Sequence, residues 1–451
     1  MTKTMRKWKL SLLVLTILFT MSWCLVFGQK VNLKELQKFV RIRPEGKPNI
    51  VIILAGDLGF GDLGCFGQAK VKTPHIDAVA AEGLKFYNFY SGASLDNPSR
   101  AVLLTGKSTF NSKVKDNKSS LPSSEITLAR VLRAAGYKCG FFGLWGLGSN
   151  PGNTPIWHSF DEWYGYLDLG SLTNYYPETM SRNDKQIVVY QNQSNRKGVY
   201  APDHFTFAAL NFIRINTDFP FLMIVSYPVP YAVGTNSQYI VPYDKPYSNE
   251  PWTQSAKNRA AMIDIFDRYV GAIIDAIKKY KLDRETIVFI TSVTGAPTDE
   301  ASTNLLSNAG FRGGKGNLYE GGIHVPMIVW APGFVEPGTC NEIWSMQDIL
   351  PTAEALAGLP VTDSFDGVSM LPVFKKEKHS TNRFLVWEQT VAGSLQRAFL
   401  MDNWKAIKDD KNGFELYNLA VDPFEKTNVV NQNPEVLNSI LGKAKSLKKT
   451  N

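Results

Sequence analysis

The sequence predicts an α/β fold with a mainly parallel central sheet, helices on both of its faces, and a small antiparallel sheet with one helix at the C-terminal end. Three observations carry this reading. Asn49 to Ala55 is an unbroken apolar run rich in Ile and Val, the pattern of a strand buried on both faces. Runs of that kind then alternate with helical patterns, which is how parallel sheets are built. After about residue 370 the texture changes to short strands joined by polar turns.

The elements follow in order. Gly56, Gly59, Gly61, Gly64 and Gly67 come close behind the first strand, so a loop leaves its carboxyl end. A helix starts at Thr73-Pro74, runs through Ile76, Val79 and Ala80, and stops at Gly83. Thr127 to Ala135 is a second helix, closed by Gly136, and it feeds a strand over Tyr137 to Phe142. A helix around Phe205 to Ile215 precedes a strand from Phe221 to Tyr227. A long helix from about Ala256 to Tyr280 precedes the strand Thr286 to Thr291, and Pro326 to Trp330 is a further strand. In the tail, Phe384 to Trp387, Arg397 to Met401, Trp404 to Lys408 and Glu415 to Leu419 read as strands, and Pro434 to Leu447 as a helix. Ligands of open α/β sheets bind beyond the carboxyl ends of the strands, so the loops at Gly56, Gly143, Pro228 and Ser292 are where a site is expected.

With 451 residues, 44% hydrophobic and 20% charged, the chain has the composition of an ordinary globular protein. The expected division is residues 1–28 as a signal segment, 48–370 as the α/β domain and 371–451 as the small C-terminal unit. Lys3, Arg6, Lys7 and Lys9 precede an uncharged apolar run from Leu10 to Val26. Val26 and Gly28 suit signal-peptide cleavage before Gln29, which implies a secreted or periplasmic protein. The run is long, so an uncleaved membrane anchor is the alternative. Removing those four cations brings the net charge of +8 to +4. The remaining basic residues are scattered, so nothing points to nucleic acid; a mild attraction to acidic ligands is what remains. Cys65, Cys139 and Cys340 stand far apart and fit neither a zinc pattern nor a disulfide framework, so buried free thiols are expected.

The most informative segment is Asp96-Asn97-Pro98-Ser99-Arg100, followed by Ala101-Val102-Leu103-Leu104-Thr105-Gly106. It resembles the nucleophile segment of the sulfatases, in the alkaline phosphatase-like superfamily. Lys47-Pro48-Asn49 through Asp62-Leu63-Gly64-Cys65-Phe66-Gly67 is similar to the family's first strand and metal loop. Phe311-Arg312-Gly313-Gly314-Lys315-Gly316-Asn317 through Val325-Pro326 is similar to its second substrate-side loop, and Asp348-Ile349-Leu350-Pro351-Thr352 and Leu416-Tyr417-Asn418-Leu419 to later segments. The resemblance implies the sulfatase fold over nearly all of the chain beyond the signal segment.

It also implies a chemistry whose parts this chain replaces. The family oxidises a Cys or Ser to formylglycine, and Asp96 stands at that position; a carboxylate cannot become that aldehyde. The family's calcium takes two consecutive Asp and a later Asp-Asn pair, where this chain has Gly56-Asp57 and Val293-Thr294. Asp57 alone keeps its ligand, Val293 offers no oxygen, and Thr294 offers a neutral hydroxyl. A Lys of the family is Leu144 here, and a His is Tyr231. None of His75, His158, His204, His324 and His379 falls on a family catalytic position. Arg100 and Lys315 are kept; in the family the first supports the nucleophile and the second contacts sulfate.

The expected catalytic set is therefore Asp96, Arg100 and Lys315, with Asp57 as metal residue and Arg100, Lys315 and Tyr231 toward substrate. Each has a structural reading beside it: Asp57 as a loop cap or partner of Arg100, Lys315 as a solvated charge, and Arg100 as a helix-start ion pair. The favoured expectation is a catalytically impaired sulfatase-like protein that binds a sulfated glycan, another small anion or a partner, with no cofactor. The alternative is an active sulfuric ester hydrolase using Asp96 and Asp57, with calcium. Only in the anchored alternative is a membrane a partner.

Overall fold

The computed structural model describes residues 46–172, 174–234, 238–360, 364–379, 382–391 and 393–447. The expected signal segment lies outside them. Among the described residues no helix is long and apolar enough to cross a membrane.

A ten-stranded mixed sheet runs through the main part of the chain. Its order is Gly338–Cys340, Leu84–Phe86, Met327–Trp330, Thr286–Ser292, Asn49–Ala55, Phe221–Ser226, Lys138–Leu144, Glu162–Tyr166, Thr179–Arg182 and Lys185–Val188. The five strands from Thr286–Ser292 to Glu162–Tyr166 are parallel; beyond them Met327–Trp330 on one side and Thr179–Arg182 on the other pair antiparallel, and Gly338–Cys340 at one edge pairs in parallel with Leu84–Phe86. Asn49–Ala55 lies near the middle, pairing Ile52 with Ile224 on one side and Phe289 on the other.

Its alternation sorts the core. Val51, Ile53 and Ala55 pack toward the helices Pro74–Ala81, Ala201–Ile215 and Gln254–Lys279, whereas Ile50, Ile52 and Leu54 pack toward Asp96–Thr105, Leu128–Ala134 and Ile349–Leu356. Both faces are covered, which is why the strand reads as continuous apolar sequence rather than alternating. Thr127 caps its helix by accepting from the Arg130 amide, and Thr253 caps the 26-residue helix by accepting from the Ala256 amide.

The helix carrying the diagnostic segment starts at Asp96 itself, one turn earlier than a start after Pro98. Pro98 does not delay it, because a proline in the first turn lacks only an N–H that would have no intrahelical partner. Asp96 thereby sits in the first turn, where the helix dipole favours a carboxylate.

The C-terminal sheet is antiparallel in chain order, Phe384–Val391, Ser394–Met401, Trp404–Asp409 and Gly413–Asn418, with helix Pro434–Lys445 behind it. Val386, Phe399, Ala406 and Leu416 pack on Ile440 of that helix. Leu385, Trp387, Ala398, Leu400 and Tyr417 face the other way, onto Tyr90, Leu318 and Ile323. That second face presses on the loop holding Lys315. Cys65, Cys139 and Cys340 are free thiols; Cys139 and Cys340 are buried and Cys65 is only half-buried.

Candidate functional site

The carboxyl ends of four parallel strands converge as the topology requires. Asp57 follows Asn49–Ala55, Thr294 follows Thr286–Ser292, Leu144 ends Lys138–Leu144, and Tyr231 comes shortly after Phe221–Ser226. Asp57 has φ +61, a left-handed conformation that costs a non-glycine residue energy and turns its carboxylate inward from the strand end. Arg259 supports this turn from below. Fully buried on the long helix, its guanidinium donates to the Asp57 carbonyl at 2.9 Å, to the Asp62 carboxylate at 2.7 Å and to the Pro230 carbonyl at 3.1 Å.

Three of the expected residues meet here. Lys315 Nζ lies 2.6 Å from Asp57 Oδ1 and 2.5 Å from Asp96 Oδ2. The two acids are 3% and 1% exposed, so the ammonium is shared between carboxylates that water hardly reaches. Thr294 Oγ1 donates to Asp57 Oδ1 at 3.1 Å. The Tyr231 ring covers Lys315, with its centroid 4.2 Å from Nζ, a cation–π contact. Tyr231 is itself held by Tyr175, whose hydroxyl donates to the Tyr231 carbonyl at 2.6 Å.

Arg100 is buried one helical turn beyond Asp96. Its Nη1 donates to the Leu144 carbonyl at 3.0 Å and to Ser226 Oγ, while Nε and Nη2 find no partner among the described residues. Asp96 Oδ1 has none either. Gly143 makes the Leu144–Ser226 junction possible: its φ is +111, and a Cβ there would stand 2.0 Å from the Ser226 carbonyl.

Burial pushes the Asp57 carboxyl up to about 6; Lys315 pulls it down, and Asp96 pushes it up further. Burial alone would lower the Lys315 ammonium, but Asp57 and Asp96 more than offset this and hold it above its ordinary value. Burial lowers Arg100, with Asp96 and Asp57 opposing, and raises the Tyr231 phenol.

The donor set does not suit a divalent cation of the calcium type, which needs about six to eight oxygens. Gly56 has no side chain, although a Cβ there would make only ordinary contacts of 3.4 Å with Tyr227 and Pro228 backbone, so space does not forbid a carboxylate. Val293 is fully buried in the hydrophobic cluster on one side of the sheet, and Leu144 in the cluster on the other. Thr294 spends its hydroxyl hydrogen on Asp57. Among the described residues no group of three or more His, Cys, Asp and Glu is placed to hold a metal.

Asp57, Asp96, Arg100, Lys315, Tyr231 and Thr294 are thus gathered at one strand-end cluster, whereas Gly56, Leu144 and Val293 contribute only backbone or packing. Sequence reasoning missed Arg259, Ser226 and Gln389. Gln389, on the first strand of the C-terminal sheet, donates to the Gly316 carbonyl at 3.1 Å and accepts from Ser94 Oγ, reaching both segments of the cluster. Its signal was legible: it shares the inward register of Leu385 and Trp387, and Arg259 likewise sits on the apolar stripe of its helix.

Comparison with known proteins places the fold and the family. The sulfatase family profile matches residues 48–359, and that of the N-sulphoglucosamine sulphohydrolase C-terminal region matches 313–449. Human N-acetylgalactosamine-6-sulfatase is 32% identical over 364 residues, which take in 72% of this chain and 65% of that protein, so the match spans just under two thirds of this relative's length. Human arylsulfatase A is 32% identical over 384 residues, covering 79% of this chain and 74% of its own. The structure of Ps i-CgsB in complex with k-i-k-neocarrahexaose superposes with a TM-score of 0.78 at 27% identity, covering 88% of this chain and 92% of that one. This chain belongs to the sulfatase family and has its alkaline phosphatase-like fold.

Proposed function

We propose that this sulfatase-family protein has lost formylglycine-dependent ester hydrolysis and keeps a role in binding a sulfated glycan, or a partner that presents a comparable anion, at the Arg100 end of the cluster. The observation that carries the loss is the donor set. Asp96 stands where the oxidisable residue belongs, and three of the four positions that would give a divalent cation side-chain carboxylate or amide oxygens hold Gly56, Val293 and Thr294. The support for binding is Arg100, 3% exposed and with two donors lacking a partner among the described residues. Buried donors of this kind favour a charged acceptor. The relatives named for sulfate on N-acetylgalactosamine indicate the ligand class. On this reading the protein works without calcium, and it acts outside the cytoplasm once the signal segment is removed, or at a membrane surface if that segment stays as an anchor.

Purified protein incubated with 4-nitrophenyl sulfate and with 6-sulfated N-acetylgalactosamine should release no sulfate. Calorimetry should show binding to a sulfated oligosaccharide but not to its desulfated form, weakened at least about tenfold by Arg100→Met. Sulfate turnover abolished by Asp96→Ala would sink the proposal.

One observation favours a second reading. Asp96 Oδ1 is buried and free among the described residues, and a carboxylate so placed can act as a nucleophile toward a sulfate or phosphate ester. Tyr231, whose phenol burial holds in the protonated form, would then protonate the leaving oxygen. A burst of phenol from an aryl phosphate or sulfate, absent in Asp96→Asn, would select this reading.

A further inference from the structure

Two carboxylates as deeply buried as Asp57 and Asp96 need a positive charge beside them, because burying an unpaired charge is far costlier than burying a paired one. The charge present belongs to the chain itself. Lys315 Nζ is 2.6 Å from one acid and 2.5 Å from the other, and the Tyr231 ring closes a third side at 4.2 Å. Its approach is fixed by the backbone on either side. The Lys315 amide donates to the Ala296 carbonyl at 2.9 Å, and the Gly316 amide donates to the Ser94 carbonyl at 2.9 Å, two residues before Asp96. Gln389 closes the ring by bonding both Gly316 and Ser94, so the Lys315 loop and the Asp96 helix start are tied to one another through the C-terminal sheet.

We propose that Lys315 is a built-in counter-cation: its ammonium permanently fills the cation position between Asp57 and Asp96, so that the site is assembled without a metal ion. The inference deepens the reading that this chain has given up metal-dependent hydrolysis, and rests on it. An ammonium suits what the neighbours offer. It needs a few acceptors and tolerates an aromatic face, whereas a divalent cation would need several more oxygens than Asp57, Asp96 and Thr294 supply. A tethered charge also loses nothing to dilution, so the carboxylates stay compensated at any ion concentration.

The test compares thermal unfolding of wild type, Lys315→Ala and Lys315→Ala/Asp96→Asn after chelator treatment at about pH 8, above the value of about 6 to which burial raises Asp57. Each is titrated with calcium chloride and with propylammonium chloride, the fragment that Lys315→Ala deletes, against sodium chloride at matched ionic strength. Wild type should shift by no more than about 1 °C with either cation, because the position is already filled. Lys315→Ala should melt roughly 5 °C lower and regain at least about half of that with propylammonium or calcium. The double variant should be restored toward wild type and respond to neither, because the one acid left, Asp57, is pushed further up once Lys315 is gone and sheds its charge by taking a proton. A calcium-raised melting temperature in wild type overturns the proposal, as does a Lys315→Ala variant that no cation restores and that Asp96→Asn does not improve. If Lys315→Ala is recovered only as insoluble protein, a soluble double variant supports the proposal and an insoluble one overturns it. Sulfate release by a wild type whose melting temperature calcium leaves unmoved would defeat the functional reading alone; a calcium response without sulfate release would defeat this inference alone.

Discussion

Two lysines of this molecule each stand between a pair of buried carboxylates. Lys405, in the third strand of the C-terminal sheet, is fully buried 2.8 Å from Glu320 and 2.9 Å from Glu425. Lys315 is 2.6 Å from Asp57 and 2.5 Å from Asp96. The surroundings differ. Glu320 also faces His324 Nδ1 at 2.8 Å and the Tyr90 hydroxyl at 3.1 Å, and Glu425 accepts the Glu320 amide at 2.7 Å. Asp57 has only Thr294 in addition to its lysine, and Asp96 Oδ1 has nothing among the described residues. Glu320 and Asp57 respond in opposite directions, while Glu425, like Asp57, is raised, by burial and by Glu320 against the pull of Lys405. Burial would raise Glu320, but Lys405 and His324 more than offset it and hold it at about 2; at Asp57 burial prevails and the value is about 6. The same motif, a lysine between two acids, holds one richly bonded carboxylate, Glu320, in one place and an under-bonded cluster in the other. What decides is the number of donors to each carboxylate. Polar groups left short of partners in a buried strand-end cluster are the ones a ligand can still satisfy.

The sharpest way to break this comparison is to delete each lysine. Lys405→Ala strands two carboxylates in the joint between the Lys315 loop and the C-terminal sheet, and should lose about 3–5 kcal/mol of unfolding free energy or fail to fold. Lys315→Ala should lose less, because Asp57 already lies close to protonation and can shed its charge. Denaturant unfolding of both variants gives the order; the reverse order would mean that the strand-end cluster is the more tightly bonded of the two.

The pH dependence separates the two regions next. Asp57 is raised in the folded protein, so its contribution is most favourable below its ordinary value of 3.8 and is lost as pH rises through about 6. Glu320 is lowered, so its contribution is full above its ordinary value of 4.5 and is lost as pH falls toward about 2. A shift of two units corresponds to roughly 3 kcal/mol. Asp57→Asn should therefore remove a fall in stability of about that size between pH 4 and pH 7, while leaving the acid limb intact. Unfolding free energies measured across that range check it.

A smaller effect is expected at Gln389, which links the regions. Gln389→Ala removes the bonds to Gly316 and Ser94 and should cost about 2 kcal/mol. Hydrogen exchange should quicken at Gly316, whose amide bonds Ser94, and stay unchanged at Glu320, whose amide is held by Glu425. Equal loosening at both amides would show that Gln389 supports the whole loop and not the cluster.

How much of this was legible in the sequence follows from periodicity. The Asn49–Ala55 strand, the Gln254–Lys279 helix and the antiparallel tail declare themselves because apolar spacing is a local property. Glu162–Tyr166, Thr179–Arg182 and Lys185–Val188 escaped, since they are short, aromatic or polar, and are set by pairing with a distant edge rather than by their own pattern. The cluster residues Asp57, Asp96, Arg100 and Lys315 were singled out through resemblance, but their arrangement was not. Lys315 reads as a solvated charge in its glycine-rich surroundings, and only the Asp96 helix start and the Asp57 turn meeting at adjacent strand ends make it a bridge. Glu320, Lys405 and Glu425 were passed over entirely, because their association is made by tertiary packing between segments about a hundred residues apart.

Thr294 gives the finest test of the donor argument. It is fully buried, and among the described residues its hydroxyl is the one neutral donor to Asp57 Oδ1, at 3.1 Å. Thr294→Val keeps the shape and removes that bond, which favours the ionised carboxylate. The variant should lose about 1 kcal/mol well above pH 6, where Asp57 is charged, and little below it, where the carboxyl is neutral. The midpoint of the pH-dependent stability should move upward by about 0.7 of a unit, the same free energy expressed as a proton affinity. If the loss were equal at both ends of the range, Thr294 would be packing alone. Burial and Lys315 would then suffice to set Asp57, and donor number would no longer explain why Glu320 and Asp57, each beside a buried lysine, titrate in opposite directions.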